Sequence, residues 1–283
     1  MEKILVIGST GMLGYAVSEY YLSKGYDVIK LTRKDFDIGT DPHENFIPFL
    51  EGVDVVINCA GLIKPTIGKF PIEQALRVNS IFPRNLARMT SERNIKCFHI
   101  TTDCVYTGKK GNYNENSLFD ADDTYGMTKN AGENKDCMVI RTSIIGEENG
   151  QNRSLLEWAK SQAGKEVNGF TNHLWNGVTT LYLAEVIENI LNENFYQKGI
   201  FHIHSPNTVN KYELLQLFND IYGLNFSKIN AIEAKDAIDR SLASIHELTT
   251  RVAVKKLYTQ IQEMKNFFAS RIRCIENGAF IEF

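Results

Sequence analysis

The chain has 283 residues, 43% of them hydrophobic and 23% charged, with a formal net charge of −3. That balance suits a globular protein with a sizeable core, and without a basic block or an apolar run near the ~20 residues needed to cross a bilayer, nucleic-acid and membrane roles are not expected. The 5 cysteines (Cys59, Cys97, Cys104, Cys137, Cys274) show no Cys-x-x-Cys spacing and the first residues run directly into a strand pattern, which reads as a reducing cytoplasm, no secretory leader and no structural zinc.

In chain order, residues 4–7 form an apolar strand pattern that breaks at Gly8 and continues through Gly11 and Gly14 into a helical pattern marked by Tyr15, Val17, Tyr20, Tyr21 and Leu22. Such a strand, turn and helix start cradle a dinucleotide pyrophosphate. Side chains in the turn would keep the anion from the backbone N–H groups, and the helix start adds partial positive charge. Gly8, Thr10, Gly11, Met12 and Leu13 are the candidate cofactor contacts of this turn. A second strand at 27–31 ends in Thr32-Arg33-Lys34. A carboxylate at that place would bind both hydroxyls of an adenosine ribose and repel a 2′-phosphate. Arg33 can instead grip a phosphate with two parallel bonds, so NADPH is the expected cofactor, while Asp35 leaves NADH open.

Strands at 53–59, 97–101 and 138–142 follow, with a helical pattern over 72–93 between the first two. They end in small or polar residues, Asn58-Cys59-Ala60-Gly61, Thr101-Thr102-Asp103 and Arg141-Thr142-Ser143, at the strand ends where parallel sheets bind ligands. The alternation predicts an α/β protein with a doubly wound parallel sheet, the Rossmann fold, forming a dinucleotide-binding domain over 1–150. Beyond it come a helix at 181–191, a strand at 199–203, a helix at 211–222 and a tail helix over 248–268, with turns at Asn207 and Gly223-Leu224-Asn225. These suggest a small, discontinuous C-terminal substrate lobe over 151–283, from which about 174–200 returns to the first domain. Trp175 reads as a packing aromatic, and His202 and His204 as ordinary strand histidines, because no third ligand stands near and no metal is expected.

Tyr125 and Lys129 stand four residues apart on one helix face, where an ammonium can stabilise a phenolate and lower the Tyr pKa. Upstream lies the strand-end hydroxyl of Thr102, with Thr101 as the alternative one register away. With the glycine turn, 58–61, Asn79 in Arg77-Val78-Asn79-Ser80, Thr101-Thr102-Asp103 and the Tyr125/Lys129 pair in this order, most of the chain resembles the extended short-chain dehydrogenase/reductase superfamily. Residues 11–14, 33–38, 102–108 and 176–180 look most like its dTDP-4-dehydrorhamnose reductase group, which reduces nucleotide-linked 4-keto-6-deoxy sugars.

The resemblance implies a cytoplasmic, homodimeric, NADPH-dependent reductase of surface-polysaccharide sugar biosynthesis. In it Tyr125 donates a proton to the C4 oxygen, Lys129 holds the ribose and tunes Tyr125, and Thr102 hydrogen-bonds the carbonyl. It adds Asp37, Cys59, Ala60, Gly61 and Asn79 to the cofactor contacts, and turns Asp103, Cys104 and Arg240 toward the nucleotide sugar, Arg240 at its pyrophosphate.

Cys104 departs from that group, whose members carry Tyr there, and from the sugar-nucleotide dehydratases, whose Glu removes a carbon-bound proton. Relatives that epimerise at C3 and C5 before reducing carry a Cys there, together with a His near the start of the next helix. This chain has Asn152-Arg153-Ser154 at that point, and His173 comes later. Inert packing of Cys104 and a bifunctional 3,5-epimerase/4-reductase therefore stand as alternatives. A third is a non-catalytic NADP-binding subunit, since the regulatory subunit of methionine adenosyltransferase resembles the same group, although Thr102, Tyr125 and Lys129 are all present here. Lys64 reads as solvent-exposed.

Overall fold

The computed structural model describes residues 2–150 and 154–276, with side chains described through Arg271. Asn152, Arg153 and the Cys274 side chain therefore lie outside the described part. A six-stranded sheet runs in the order Gly199–His202, β5 (Met138–Thr142), β4 (Lys96–Thr102), β3 (Val55–Asn58), β1 (Lys3–Ile7), β2 (Asp27–Leu31). Each neighbouring pair is parallel. This is the doubly wound Rossmann-type sheet read from the alternation of patterns.

The reason for the apolar runs is burial on both faces. Ile4 and Val6 point into one core, with α1 (Met12–Ser23) and the Thr180–Asn192 helix, while Leu5 and Ile7 point into a second, where Phe36, Phe46 and Phe82 pack edge to face. Strand order reverses between β1 and β3, so their carboxyl ends, Gly8 and Asn58, flank the crevice where such sheets bind ligands.

Two predicted helices are interrupted, each for a visible reason. The pattern over 72–93 becomes Ile72–Leu76, a π-helical turn at Arg77–Ile81, and Phe82–Ser91. Pro83 has no N–H to give the Asn79 carbonyl one α-turn earlier, and the freed carbonyl lies where Gly132 can approach it: a Cβ on Gly132 would sit 2.0 Å from that oxygen. The tail over 248–268 divides into Glu247–Val252 and Leu257–Glu276. At the break, Lys255 N donates to the Tyr182 hydroxyl, and Gln260 donates to the Lys255 carbonyl while accepting from Thr179 N.

The Leu257–Glu276 helix lies against α1, with Phe268 stacked on Tyr15 at 5.4 Å and Arg271 paired to Glu19. A smaller lobe holds a two-stranded sheet of Glu166–Phe170 with Lys228–Ile232, a three-stranded sheet of Val209–Asn210, His173–Trp175 and Ile238–Asp239, and the Lys211–Tyr222 helix. That helix starts on a capping box of Asn210 and Glu213 and stops at Gly223 with φ 66°.

Candidate active site

At the carboxyl ends of β1, β3 and β4 opens a cleft of about 860 Å³. Its floor is backbone. Gly8 has φ +77°, and a Cβ there would meet Ala60 Cα at 2.9 Å; a Cβ on Gly14 would lie 2.2 Å from the Gly8 carbonyl oxygen. The start of α1 therefore presses directly on the end of β1. Gly11 is its N-cap and carries no side-chain cap, so the first N–H groups of α1 are presented to the cleft as an anion site.

Of the residues singled out in the sequence, Gly8, Thr10, Gly11, Met12, Leu13, Arg33, Asp37, Cys59, Ala60, Gly61, Thr102, Asp103, Cys104, Tyr125 and Lys129 all line this cleft. Asn79 and Arg240 do not line it. Asn79, fully buried, accepts from Leu62 N at 2.8 Å and donates to the Leu62 carbonyl and to Thr128 Oγ1, pinning the loop after β3 to the helix that bears Lys129. Arg240 Nε donates to the Tyr106 carbonyl, which sets its guanidinium opposite Asp103.

At the end of β2, Asp35 turns back on its own turn. Its carboxylate accepts from Thr32 N at 2.9 Å and Thr32 Oγ1 at 2.7 Å, while exposed Arg33 lines the cleft. Asp37 lines it too, with Oδ1 accepting from Gly39 N.

The candidate reacting groups come from β4 and the Thr124–Gly132 helix. Asp123 caps that helix, accepting from Gly126 N through Oδ1 and from Lys64 Nζ through Oδ2 at 2.6 Å; Lys64 is exposed, as expected, and also holds this helix cap. Gly126 allows the helix against the strand end, since a Cβ there would lie 2.3 Å from the Cys104 carbonyl oxygen. Thr102 Oγ1 accepts from Cys104 N at 3.0 Å and donates to Asp103 Oδ1 at 3.1 Å, and Thr102 and Tyr125 both line the cleft. Lys129 Nζ donates to the Ile100 carbonyl at 3.0 Å and stands 3.7 Å from where a Gly61 Cβ would be.

The electrostatics correct one expectation. Burial pushes the Tyr125 phenol up, with the Cys104 thiol next and Thr102 opposing, so the net shift is upward and the phenol keeps its proton. Burial instead pulls Lys129 down to about 8, against the opposing carboxylate of Glu133. The Cys104 thiol is pushed up to about 12 by burial, reinforced by Asp103. Cys59 rises to about 12 by burial. Asp103, also buried, is raised, with Arg240 the main opposing charge.

Three participants escaped the sequence reading. Lys211, stacked at 5.6 Å over Trp175, faces Asp103 and Cys104 from the small lobe, and burial lowers its pKa. Asp123 and Glu133 were missed as well; the spacing of Glu133 four residues past Lys129 was the one available signal. His173 bonds the Asp236 carbonyl away from the cleft, and among the described residues no group of three or more His, Cys, Asp or Glu is arranged to hold a metal.

The RmlD substrate binding domain model matches residues 1–268. The spore coat polysaccharide biosynthesis protein SpsK of Bacillus subtilis (strain 168) is 26% identical over 233 residues, covering 79% of this chain and 81% of that protein. A dTDP-4-dehydrorhamnose reductase of Mycolicibacterium smegmatis is 32% identical over 156 residues, 51% of this chain and 46% of that one. A structure of dTDP-4-dehydrorhamnose reductase from Bacillus anthracis in complex with NADP superposes with a TM-score of 0.79 at 18% identity, over 94% of this chain and 99% of that one, which shows a shared fold. With the glycine turn, the sheet and the cleft all inside the matched region, the chain belongs to the RmlD substrate binding domain family.

Proposed function

We propose that the protein is an NADPH-dependent reductase of the C4 keto group of a nucleotide-diphosphate 4-keto-6-deoxy sugar, serving surface-polysaccharide synthesis. The observation that carries this reading is the meeting of Thr102, Tyr125 and Lys129 in one cleft with the glycine turn. The cofactor fits the residues present: the floor admits no side chain at Gly8 or Gly14, the helix start is uncapped, and Arg33 faces the cleft while Asp35 is occupied by Thr32. The NADP in the Bacillus anthracis structure supports the same choice.

When bound, NADPH supplies the hydride. Tyr125, which retains its proton, donates it to the C4 oxygen, and Thr102 hydrogen-bonds that oxygen and then the phenolate. Lys129 holds the ribose and, while protonated, stabilises the phenolate left behind. The thiol of Cys104 holds its proton far above neutral pH, which disfavours it as the shuttle of a 3,5-epimerase.

A panel of dTDP-, UDP- and GDP-linked 4-keto-6-deoxy sugars, followed by loss of nicotinamide absorbance, tests the reading. One of them should be turned over, and Tyr125→Phe should lower turnover by about 100-fold or more with NADPH affinity unchanged. Binding of NADPH without its oxidation by any of the sugars would leave a non-catalytic subunit as the better account.

A further inference from the structure

The Thr124–Gly132 helix carries Tyr125 and, one turn on, Lys129; its C-cap is Glu133, one turn further. The Glu133 carboxylate is buried and gripped by Arg141 in a two-pronged bond, Nε to Oε1 at 2.8 Å and Nη2 to Oε2 at 2.6 Å. Arg141, 1% exposed, sits on β5 in register with Thr101 of β4 and donates its third arm to the Tyr106 hydroxyl at 3.0 Å, under the ring of Phe119. The clamp therefore joins three things: the end of the helix, the strand beside Thr102, and the loop leaving the site.

Among the described residues the Cys59 thiol after β3 and the His99 imidazole on β4 also act on the Lys129 ammonium, and burial opposes the charged form of each. Among the described residues Glu133 is the carboxylate that opposes the loss of the proton from Lys129.

We propose that Glu133, clamped by Arg141, is a positioning residue for the reduction: its carboxylate keeps charge on Lys129, and its paired bond ties the helix bearing Tyr125 to β5, the strand beside the one bearing Thr102. The kinetic consequence rests on the reductase reading; the electrostatic one rests on the spacing of Lys129 and Glu133 one helical turn apart and on the burial of both. A carboxylate near an ammonium favours the protonated form, so removing it lets the proton leave at lower pH.

The test is Glu133→Gln, which keeps the shape and removes the charge. Lysine side-chain NMR, with Lys129 assigned through Lys129→Met, should show Lys129 titrating about one pH unit or more below its position in the native protein. The alkaline limb of the kcat profile should move toward acid by the same interval, and Glu133→Asp should restore both. If Glu133→Gln does not fold, the same NMR measurement compares Glu133→Gln/Arg141→Met with Arg141→Met, two variants that differ only in the charge at 133. A Lys129 titration unmoved in a folded variant overturns the inference. A moved titration in a protein that reduces no sugar leaves the charge coupling standing and removes the reductase reading; full activity with an unmoved profile does the reverse.

Discussion

The two sides of the cleft are built differently. On the glycine-turn side the lining comes from short contiguous segments, 8–13, 33–37 and 59–61, and backbone shapes it: Gly8 and Gly14 exclude side chains, and Gly11 opens a helix start. Across from it, the charged groups are side chains from distant segments: Asp103 lines the cleft beside Cys104, and Lys211, at the start of a small-lobe helix, and Arg240, just beyond the Ile238–Asp239 strand, face Asp103. A backbone cradle tolerates changes around it but none within it, whereas a charge cluster assembled across a lobe boundary can be retuned one residue at a time.

That contrast can be broken, starting with the largest effect. Gly14→Val forces a Cβ to within 2.2 Å of the Gly8 carbonyl oxygen, so the turn has to open. Overpacking of this kind costs about 3 kcal/mol, a fall of roughly 6 °C or more in Tm. NADPH binding, followed by nicotinamide fluorescence, should be lost entirely. Retained affinity would mean that the turn is not the pyrophosphate site.

Lys211→Met tests the opposite wall. Lys211 and Arg240 are the cations that face Asp103, and losing a charge-assisted bond from a half-buried lysine should raise the KM for the sugar nucleotide by ~30-fold while NADPH affinity stays put. A change in cofactor affinity instead would erase the division between the two sides. Smallest is Arg33→Ala, at an exposed position: NADPH should bind ~10-fold more weakly and NADH equally well, as measured by titration of each.

The pH dependence of Lys129 sharpens the comparison, because this lysine lies where the two sides meet. Its folded pKa of about 8 lies below the ordinary 10.5 of a lysine. Below pH 8 the ammonium is charged in both folded and unfolded chains and burial destabilises the fold. Between 8 and 10.5 the folded chain has released a proton that the unfolded chain still holds, so stability rises with pH as the alkaline limb of activity falls.

The Rossmann-type half of the fold was legible because its determinants are local. Three glycines at fixed spacing, a strand before them and a helix after them obey steric rules that hold within a dozen residues or so, and the continuous apolar runs announce a sheet buried on both faces. The Thr102, Tyr125 and Lys129 positions were legible for a similar reason, as one strand end and one helix turn. What escaped depended on distant neighbours. The π turn at Arg77–Ile81 answers to Gly132, the break before Leu257 to Tyr182 and Gln260, and the departures of Asn79 and Arg240 from the cleft wall to Leu62, Thr128 and Tyr106.

The sequence by itself determined the sheet, the backbone cradle and the identity of the phenol, ammonium and hydroxyl, since propensity, period and glycine sterics act over short range. Tertiary structure alone decided which protonation states those groups take. It turned the expected lowering of the Tyr125 pKa into a raising and set Lys129 against Glu133, because desolvation and the approach of charges depend on what packs around a side chain in three dimensions.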